Sequence, residues 1–394
     1  MESFEYFTPT KVHFGVDSEK NLVAELNKFG AKKVLIHYGG HSAIRSGLLD
    51  KIKKILDDGN IKYCELGGVV PNPRLSKINE GIALSKKEGV DFILAVGGGS
   101  VIDSSKGIAT GVYNGGDVWD FYSKKRASKG SVPVGVVLTI AAAGSEMSAG
   151  SVVTNEDGWL KRSYNTENLR PKFAILNPKT TLTLPDYQTA SGCADIMMHI
   201  MERYFNLCEN FEVVDGISES IMRGVMKNAR ILAINPNDLN ARSEIMWSGS
   251  LAHNGLCGCG VNGGDWATHQ MEHELGGEFD VAHGAGLCAM WPSWAHYVND
   301  AAPERFVKFA VNVMGVDPEG LTDVEIIDKG IEEVKSFYRD IKMPTNLHEL
   351  GLDLSDEVLK KLAIKCSDND SHTTGQVKKL MAEDIYKIYK AANK

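Results

Sequence analysis

The stretch Asp91-Phe-Ile-Leu-Ala-Val-Gly-Gly-Gly-Ser-Val-Ile-Asp103 combines a strand, a glycine-rich turn and the first turn of a helix. An unbroken apolar run before a glycine is typical of a strand buried inside a parallel sheet. Successive glycines let the backbone approach a ligand closely, and the N–H groups at the start of the next helix favour an anion. The stretch therefore predicts a phosphate or pyrophosphate site. A plain tight turn is the alternative, because the stretch ends neither as a Walker loop nor as G-x-G-x-x-G.

Strand-like and helix-like segments alternate on both sides of this stretch. Short apolar runs are separated by amphipathic segments, and the connections contain Gly, Pro or Asn. This alternation predicts a parallel sheet with helices on both faces, as in a Rossmann-like α/β domain. The predicted strands are 33–38, 61–66, 91–96, 132–138 and 173–178, and the predicted helices are 46–58, 75–88 and 101–110.

The pattern changes near residue 184, beyond which almost only helical periodicity remains. We predict two domains, an α/β nucleotide-binding domain at 1–184 and an all-α domain at 185–394. The predicted helices of the second domain are 186–207, 212–233, 238–257, 264–276, 303–314, 324–341, 356–366 and 376–392.

Composition narrows the classes of partner. The 394 residues carry a formal net charge of −8, which gives no general attraction to nucleic acid or to anionic membranes. The first residues lack a basic segment followed by an apolar one, and the most apolar run, 132–144, is too short to span a bilayer. Seven cysteines form no disulfide framework. We therefore expect a cytoplasmic protein that binds neither nucleic acid nor membrane.

Four polar residues of the second half could bind a metal. Asp195 and His199 are four residues apart in a helical stretch, so both side chains lie on one helical face. His269 and His283 follow in two further segments. One carboxylate and three neutral imidazoles suit a divalent transition metal with an open position. Histidines buried for packing are the alternative.

The first strand ends at Tyr38-Gly39-Gly40-His41-Ser42, where no acidic residue stands. In dinucleotide-binding folds an acid near this point binds the ribose hydroxyls and repels a 2′-phosphate. The turn therefore favours NADP weakly over NAD. Asp103 fits two interpretations equally, a first-turn acid that suits the helix dipole or a ligand of a ribose.

These motifs together resemble the iron-dependent (group III) alcohol dehydrogenases, and within them the NADPH-dependent butanol dehydrogenase and aldehyde reductase branch. The resemblance extends over nearly the whole chain. Its motifs are Phe7 to Gly15, Tyr38-Gly-Gly, Pro71-Asn-Pro73, Gly97 to Asp103, Leu138-Thr139, Gly144-Ser-Glu146, Thr183-Leu-Pro185, Asp195-x-x-x-His199, His269, His273 and His283.

The resemblance implies a dehydroquinate-synthase-like architecture, NADP(H) as cofactor, one divalent metal (Fe²⁺ or Zn²⁺) and a homodimer. It implies that Asp195, His199, His269 and His283 bind the metal and that His273 is an active-site histidine that does not. Two positions depart from the family pattern, Ala143 where Thr is common and Ser148 where Asn is common. The implied cofactor contacts are Gly39, Gly40, Ser42, Asn72, Gly97, Gly98, Gly99, Ser100, Asp103, Thr139, Ser148 and Lys161, and Lys161 is a candidate partner of a 2′-phosphate.

The resulting hypothesis is reversible hydride transfer between NADPH and short-to-medium-chain aldehydes, with His273 relaying a proton. A dehydroquinate-synthase-type lyase would use the same metal and a bound nucleotide without net redox. A metal-dependent hydrolase would leave the glycine-rich turn without a role. We interpret Glu272 and Glu274 as solvated helix positions. We assign no functional role to His37, His41, His253, His296 and His348.

Overall fold

The six-stranded parallel sheet is the feature around which the N-terminal half is built. The computed structural model describes residues 2–208 and 212–394. These divide into two units, one of Phe7–Pro185 and one of Met1–Tyr6 with Asp186–Lys394. The strands of the sheet in the first unit are β1 Lys11–Phe14, β2 Lys33–Tyr38, β3 Lys62–Leu66, β4 Phe92–Gly97, β5 Val134–Leu138 and β8 Phe173–Leu176. Their order in the sheet is β1-β8-β5-β4-β2-β3, and every neighbouring pair is parallel.

Both faces of this sheet are covered, as the apolar strand sequences predict. Val34 and Ile36 belong to one buried cluster and Leu35 to another, because successive strand side chains point to opposite faces. Helices pack on each face and complete the two cores. The parallel α/β prediction is therefore confirmed. The helices are α1 Leu22–Lys28, α2 Ser42–Arg45, α3 Leu48–Asp58, α4 Leu75–Glu88, α5 Gly99–Asn114 and α6 Trp119–Tyr122.

Three strands of this unit were not predicted. β1 has only four residues, and β6 (Gly150–Asn155) and β7 (Leu160–Asn165) form a separate antiparallel hairpin. The hairpin is joined to the residues after β3 by the hydrogen bond from the N–H of Thr154 to the carbonyl of Pro73, 2.8 Å long. Its sequence lacks a strong apolar alternation, so periodicity gave no signal.

The second unit is helical, as predicted, but the prediction missed one helix and began another too early. Residues 283–298 form the helix that was missed. The sequence did not predict it because it contains Gly284, Gly286 and Pro292, and glycine and proline usually interrupt helices. The last helix begins at residue 382, not at 376. The helices are α7 Asp186–Tyr204, α8 Glu212–Ile234, α9 Leu239–His253, α10 Ala267–Phe279, α11 His283–Val298, α12 Pro303–Asn312, α13 Asp323–Asp340, α14 Asp356–Cys366 and α15 Ala382–Ala392.

Aromatic rings join three of these helices at the centre of the second unit. Phe205, directly after α7, packs 4.4 Å from the ring of Phe306 and 5.7 Å from that of Trp294, measured between centroids. All three side chains are buried. α7 is thereby fixed against α11 and α12. Among the helices of the described residues, none combines the length and apolarity required to cross a membrane.

The approach of α11 to α7 depends on a missing side chain. A Cβ added at Gly284 would lie 2.0 Å from the carbonyl oxygen of Ser191 and 2.8 Å from its carbonyl carbon. Both are backbone atoms of the neighbouring helix and cannot rotate away. Only glycine therefore allows this separation at the first turn of α11.

We predict that Gly284→Ala destabilises the protein by about 2 kcal/mol or more, because the helix must shift to remove the clash. Thermal unfolding followed by circular dichroism should show a Tm lowered by about 2 °C or more. The matched control is Gly224→Ala in α8, where an added Cβ meets no atom within 4 Å. This control should be neutral or stabilise by up to about 1 kcal/mol. An unchanged Tm for Gly284→Ala would contradict the close packing.

Candidate metal and nucleotide sites

The predicted nucleotide-binding residues of the first unit gather at the carboxyl ends of adjacent strands. Tyr38 and Val96 are paired in the register of β2 and β4, and Gly97 is paired with Leu138 of β5. Gly39, Gly97 and Thr139 therefore follow one another along one edge. Open parallel sheets bind their ligands at this edge. The N–H of Thr139 donates to the carbonyl of Gly97 at 3.0 Å and closes the turn.

The three glycines each have a steric reason for lacking a side chain. A Cβ at Gly98 would lie 1.8 Å from Cγ2 of Ile140, one at Gly99 2.9 Å from Cβ of Ala143, and one at Gly97 2.5 Å from Cγ2 of Val101. Packing thus explains the glycines without a ligand. The anion site rests instead on the N–H groups of Gly99 and Ser100. They precede the first bond of α5, which the N–H of Val101 makes to the carbonyl of Gly98 at 3.0 Å, and Gly98 offers no capping side chain. A pyrophosphate fits this helix start.

The other predicted nucleotide contacts lie at different places in the same unit. Asn72 is buried with a left-handed backbone, φ 53°, in the segment between β3 and α4. Ser148 is buried beyond β5. Lys161 lies on β7, opposite Thr154, outside the six-stranded sheet. The carboxylate of Asp103 accepts hydrogen bonds from the Ser145 hydroxyl at 2.5 Å and from the N–H of Val152 at 2.8 Å. Asp103 thus fastens α5 to the hairpin, whatever else it contacts.

The second unit brings all four predicted metal ligands together. His199 Nδ1, His283 Nε2 and His269 Nε2 lie 3.4, 3.7 and 3.8 Å from Oδ1 of Asp195. Asp195, His199 and His269 form a group whose candidate ligand atoms all lie within 4.8 Å of one another. Ligands about 2.1 Å from a tetrahedral ion are about 3.4 Å apart, so the observed separations fit such an ion.

Three of these atoms are buried without a hydrogen bond in the described part of the chain. They are Oδ1 of Asp195, Nδ1 of His199 and Nε2 of His269. Buried polar atoms of folded proteins almost always have a partner, and a buried carboxylate is costly without a compensating cation. The residues present therefore fit a divalent metal.

Two buried glutamates orient two of the histidines. Glu202 Oε1 lies 2.8 Å from Nδ1 of His269. The same oxygen accepts a hydrogen bond from the backbone N–H of His269 at 2.9 Å. Glu272 Oε2 bonds Nδ1 of His283. A proton on Nδ1 of each ring leaves the Nε2 lone pair directed at Asp195, as a metal ligand requires.

The prediction for Glu272 and Glu274 was therefore wrong. The side chains are 0% and 2% exposed rather than solvated. Glu272 lies three residues after His269 on α10, and that spacing was the signal available in the sequence. Glu274 is buried against Lys365, whose Nζ lies 3.3 Å away. Sequence reasoning gave no role to Glu202, because its partner belongs to another helix.

The electrostatics of the group attract one positive charge. Burial lowers the pKa of His269, but the carboxylates of Asp195 and Glu202 outweigh burial and raise it to about 9. Burial and then the neighbouring imidazoles hold the pKa of His199 well below its usual range. The pocket thus favours one positive charge, here a proton on His269, beside the neutral imidazole of His199.

His273 lies beside the group without joining it. Its ring centroid is 5.9 Å from that of His283 and 6.5 Å from that of His269. It is partly exposed, whereas His199 and His269 are each 5% exposed. His253, to which we assigned no role, packs edge-on against His199 with centroids 4.2 Å apart.

Comparison with known proteins gives a consistent result. Residues 9–178 match the family model of iron-containing alcohol dehydrogenase, and residues 189–393 match the C-terminal model of the Fe-containing alcohol dehydrogenase family. The chain is 40% identical over 392 residues to the probable NADH-dependent butanol dehydrogenase 1 of Bacillus subtilis strain 168, with 100% of each chain covered. It is 31% identical to the NADPH-dependent aldehyde reductase YqhD of Escherichia coli K12, again over 100% of each chain.

A solved structure agrees with these sequences. The crystal structure of NADH-dependent butanol dehydrogenase A from Thermotoga maritima superimposes with a TM-score of 0.95 at 36% identity, covering 100% of this chain and 99% of that one. The chain therefore belongs to the iron-containing alcohol dehydrogenase family.

Proposed function

We propose that this protein catalyses reversible hydride transfer between NADP(H) and short-to-medium-chain aldehydes and alcohols, with one divalent metal, Fe²⁺ or Zn²⁺. The observation that carries the proposal is the set of four candidate ligands, three buried and His283 partly buried, in which three imidazole nitrogens lie 3.4, 3.7 and 3.8 Å from the Asp195 carboxylate. Relatives named as butanol dehydrogenases and as an aldehyde reductase support the substrate class.

The roles of the side chains follow from their positions. A bound metal would act as a Lewis acid on the carbonyl oxygen, and the nicotinamide would supply the hydride. Asp195 provides the negative charge of the ligand set, and Glu202 and Glu272 hold the histidines in the binding tautomer. The new alcohol needs a proton. His273 is the candidate donor, because it lies near His283 and is exposed enough to exchange protons with solvent.

We predict that His283→Ala and His273→Ala have different effects. His283→Ala removes a ligand, so bound metal and aldehyde turnover should fall together. His273→Ala should lower kcat by about 100-fold or more, the usual contribution of an acid–base group, with bound metal unchanged. The measurements are metal analysis and steady-state rates on the same preparations.

His296→Ala is the matched control, because its side chain is 48% exposed and pairs only loosely with Asp328, 3.7 Å away. It should retain both metal and turnover. Full turnover of His283→Ala after chelation would disprove the metal site. Loss of metal in His273→Ala would disprove the proposed separation of roles.

The preference for NADP(H) rests on the turn after β2. Gly40, His41 and Ser42 are exposed, and no acidic residue stands in the turn to repel a 2′-phosphate. A side chain at Gly39 would meet only ordinary contacts, 3.6 Å from the carbonyl oxygen of Val69 and 3.8 Å from Cγ2 of Val101. Relatives carry both kinds of name, NADH-dependent at 40% identity and NADPH-dependent at 31%. The cofactor is therefore tested directly.

We predict faster oxidation of NADPH than of NADH over a panel of aldehydes, and a reversal in Gly39→Asp. The new carboxylate would repel the 2′-phosphate and bind the ribose hydroxyls of NADH, a change of roughly tenfold or more in the ratio of kcat/KM values. Gly39→Ala is the control that adds a side chain without charge. A wild-type preference for NADH would overturn the NADP(H) assignment. Absence of steady cofactor consumption would favour the lyase alternative.

The homodimer proposal has support in the first unit. β1 is an edge strand, paired with β8 on one side within the described residues. Phe7, Phe14 and Val16, within or near this strand, are 53%, 44% and 42% exposed. Edge strands with exposed apolar side chains readily pair with another chain.

We predict that sedimentation equilibrium gives twice the mass of the 394-residue chain. Phe14→Lys should weaken the association, because a charge at an apolar edge opposes pairing. Phe29→Lys is a control at a phenylalanine of similar exposure, 42% against 44% for Phe14, beyond the end of α1. A monomer at micromolar concentration would contradict the proposal.

We also propose that the protein is cytoplasmic. All seven cysteines are free thiols, and five of them are buried. Free thiols are typical of proteins kept in a reducing compartment.

A further inference from the structure

Lys106 is a fully buried cation on α5 that the proposed reaction does not use. Its side chain is 0% exposed, and burial lowers its pKa to about 8 although the charges of Asp103 and Glu146 raise it. Five oxygens surround Nζ. They are the carbonyl and hydroxyl oxygens of Ser145 at 2.7 and 2.9 Å, those of Ser148 at 3.0 and 3.3 Å, and the carbonyl of Gly150 at 2.6 Å.

All of these oxygens belong to one segment, residues 145–150, which we call the serine segment. A lysine has three N–H donors, and the five nearby oxygens of this one segment are enough to accept from all of them. The segment has no regular secondary structure before β6 begins at Gly150. Its conformation is therefore held by the Lys106 cation together with short turn contacts, such as the bond from the N–H of Met147 to the carbonyl of Gly144 at 3.1 Å, instead of by a backbone ladder.

Lys106 also reaches Asp103 through this segment. The Ser145 hydroxyl accepts from Lys106 at 2.9 Å and donates to the carboxylate of Asp103 at 2.5 Å. Arg170 fixes the opposite side, donating to the carbonyl of Met147 at 2.6 Å. The orientations of Asp103 and Ser148, two predicted nucleotide contacts, thus depend on Lys106.

The serine segment continues from residues that touch the start of α5. Cβ of Ala143 lies 2.9 Å from the position that a Cβ of Gly99 would take. The chain therefore runs along α5 from its first turn to Lys106, about 10 Å further along the helix axis. A displacement at Lys106 would change the walls beside the anion-binding helix start.

We propose that Lys106 is a positioning residue for the dinucleotide, which holds the serine segment, Asp103 and Ser148 in the conformation that receives it. The inference rests on the proposed nucleotide function. An apolar side chain of similar length could fill the same volume at lower desolvation cost, so the buried charge is explained by the conformation that it specifies.

The test is Lys106→Met, which keeps most of the length and removes the charge. Fluorescence titration with NADPH and with NADH should show each Kd raised at least tenfold over wild type. Metal content and the KM for the aldehyde should stay unchanged, since neither depends on this segment. The rise in Tm on adding saturating NADPH should shrink accordingly. Lys54→Met is the control, an exposed lysine paired with Asp58, and should bind as wild type does.

A second variant decides the matter if Lys106→Met does not fold. Ser145→Ala removes the hydroxyl between Lys106 and Asp103 but leaves the carbonyl contacts, so Kd should rise about threefold to tenfold. Unchanged dinucleotide affinity in a folded Lys106→Met, or in Ser145→Ala when the first variant does not fold, would overturn the inference. A wild-type protein that binds neither dinucleotide would instead reject the proposed function.

Discussion

The buried carboxylate of Asp195 is the constraint on which the helical unit depends. It is 3% exposed and has three imidazole nitrogens within 4 Å. A carboxylate in that position destabilises the fold unless a cation accompanies it. The raised pKa of His269 has the same cause, because a proton on that ring is the positive charge that the chain itself can place beside Asp195. A divalent metal would meet this demand and would use Nδ1 of His199 and Nε2 of His269, which are buried without a hydrogen bond in the described part of the chain.

Packing between helices then determines which atoms face Asp195. α7 supplies Asp195, His199 and Glu202, while α10 and α11 supply the other ligands and Glu272. Each glutamate bonds the far nitrogen of a histidine and so fixes its ring and tautomer. Gly284 lets α11 approach α7 at the turn that carries His283. The ligand geometry is thus a consequence of close helix contacts and not of a local motif.

The α/β unit is organised by its parallel sheet. Parallel strands bring the turns after β2, β4 and β5 to one edge, and the first turn of α5 directs its N–H groups there without a side-chain cap. The glycines of the turn serve this arrangement sterically, because each faces a neighbouring side chain that leaves no room for a Cβ. Lys106 and Asp103 extend the order from α5 to the segment before the hairpin.

The sequence by itself determined the parallel α/β half and the helical half, and it identified four candidate metal ligands. Periodicity and the carboxylate–imidazole spacing are local properties of the sequence. The family motifs along the whole chain then implied the cofactor contacts and the role of His273. Only the tertiary structure decided which side chains contact these residues. Glu272 bonds a histidine of the next helix, Glu202 bonds His269 of another helix, and Lys106 contacts oxygens of the segment before the hairpin. α11 was missed because its glycines and Pro292 oppose a helix locally, and packing against α7 overrides that preference.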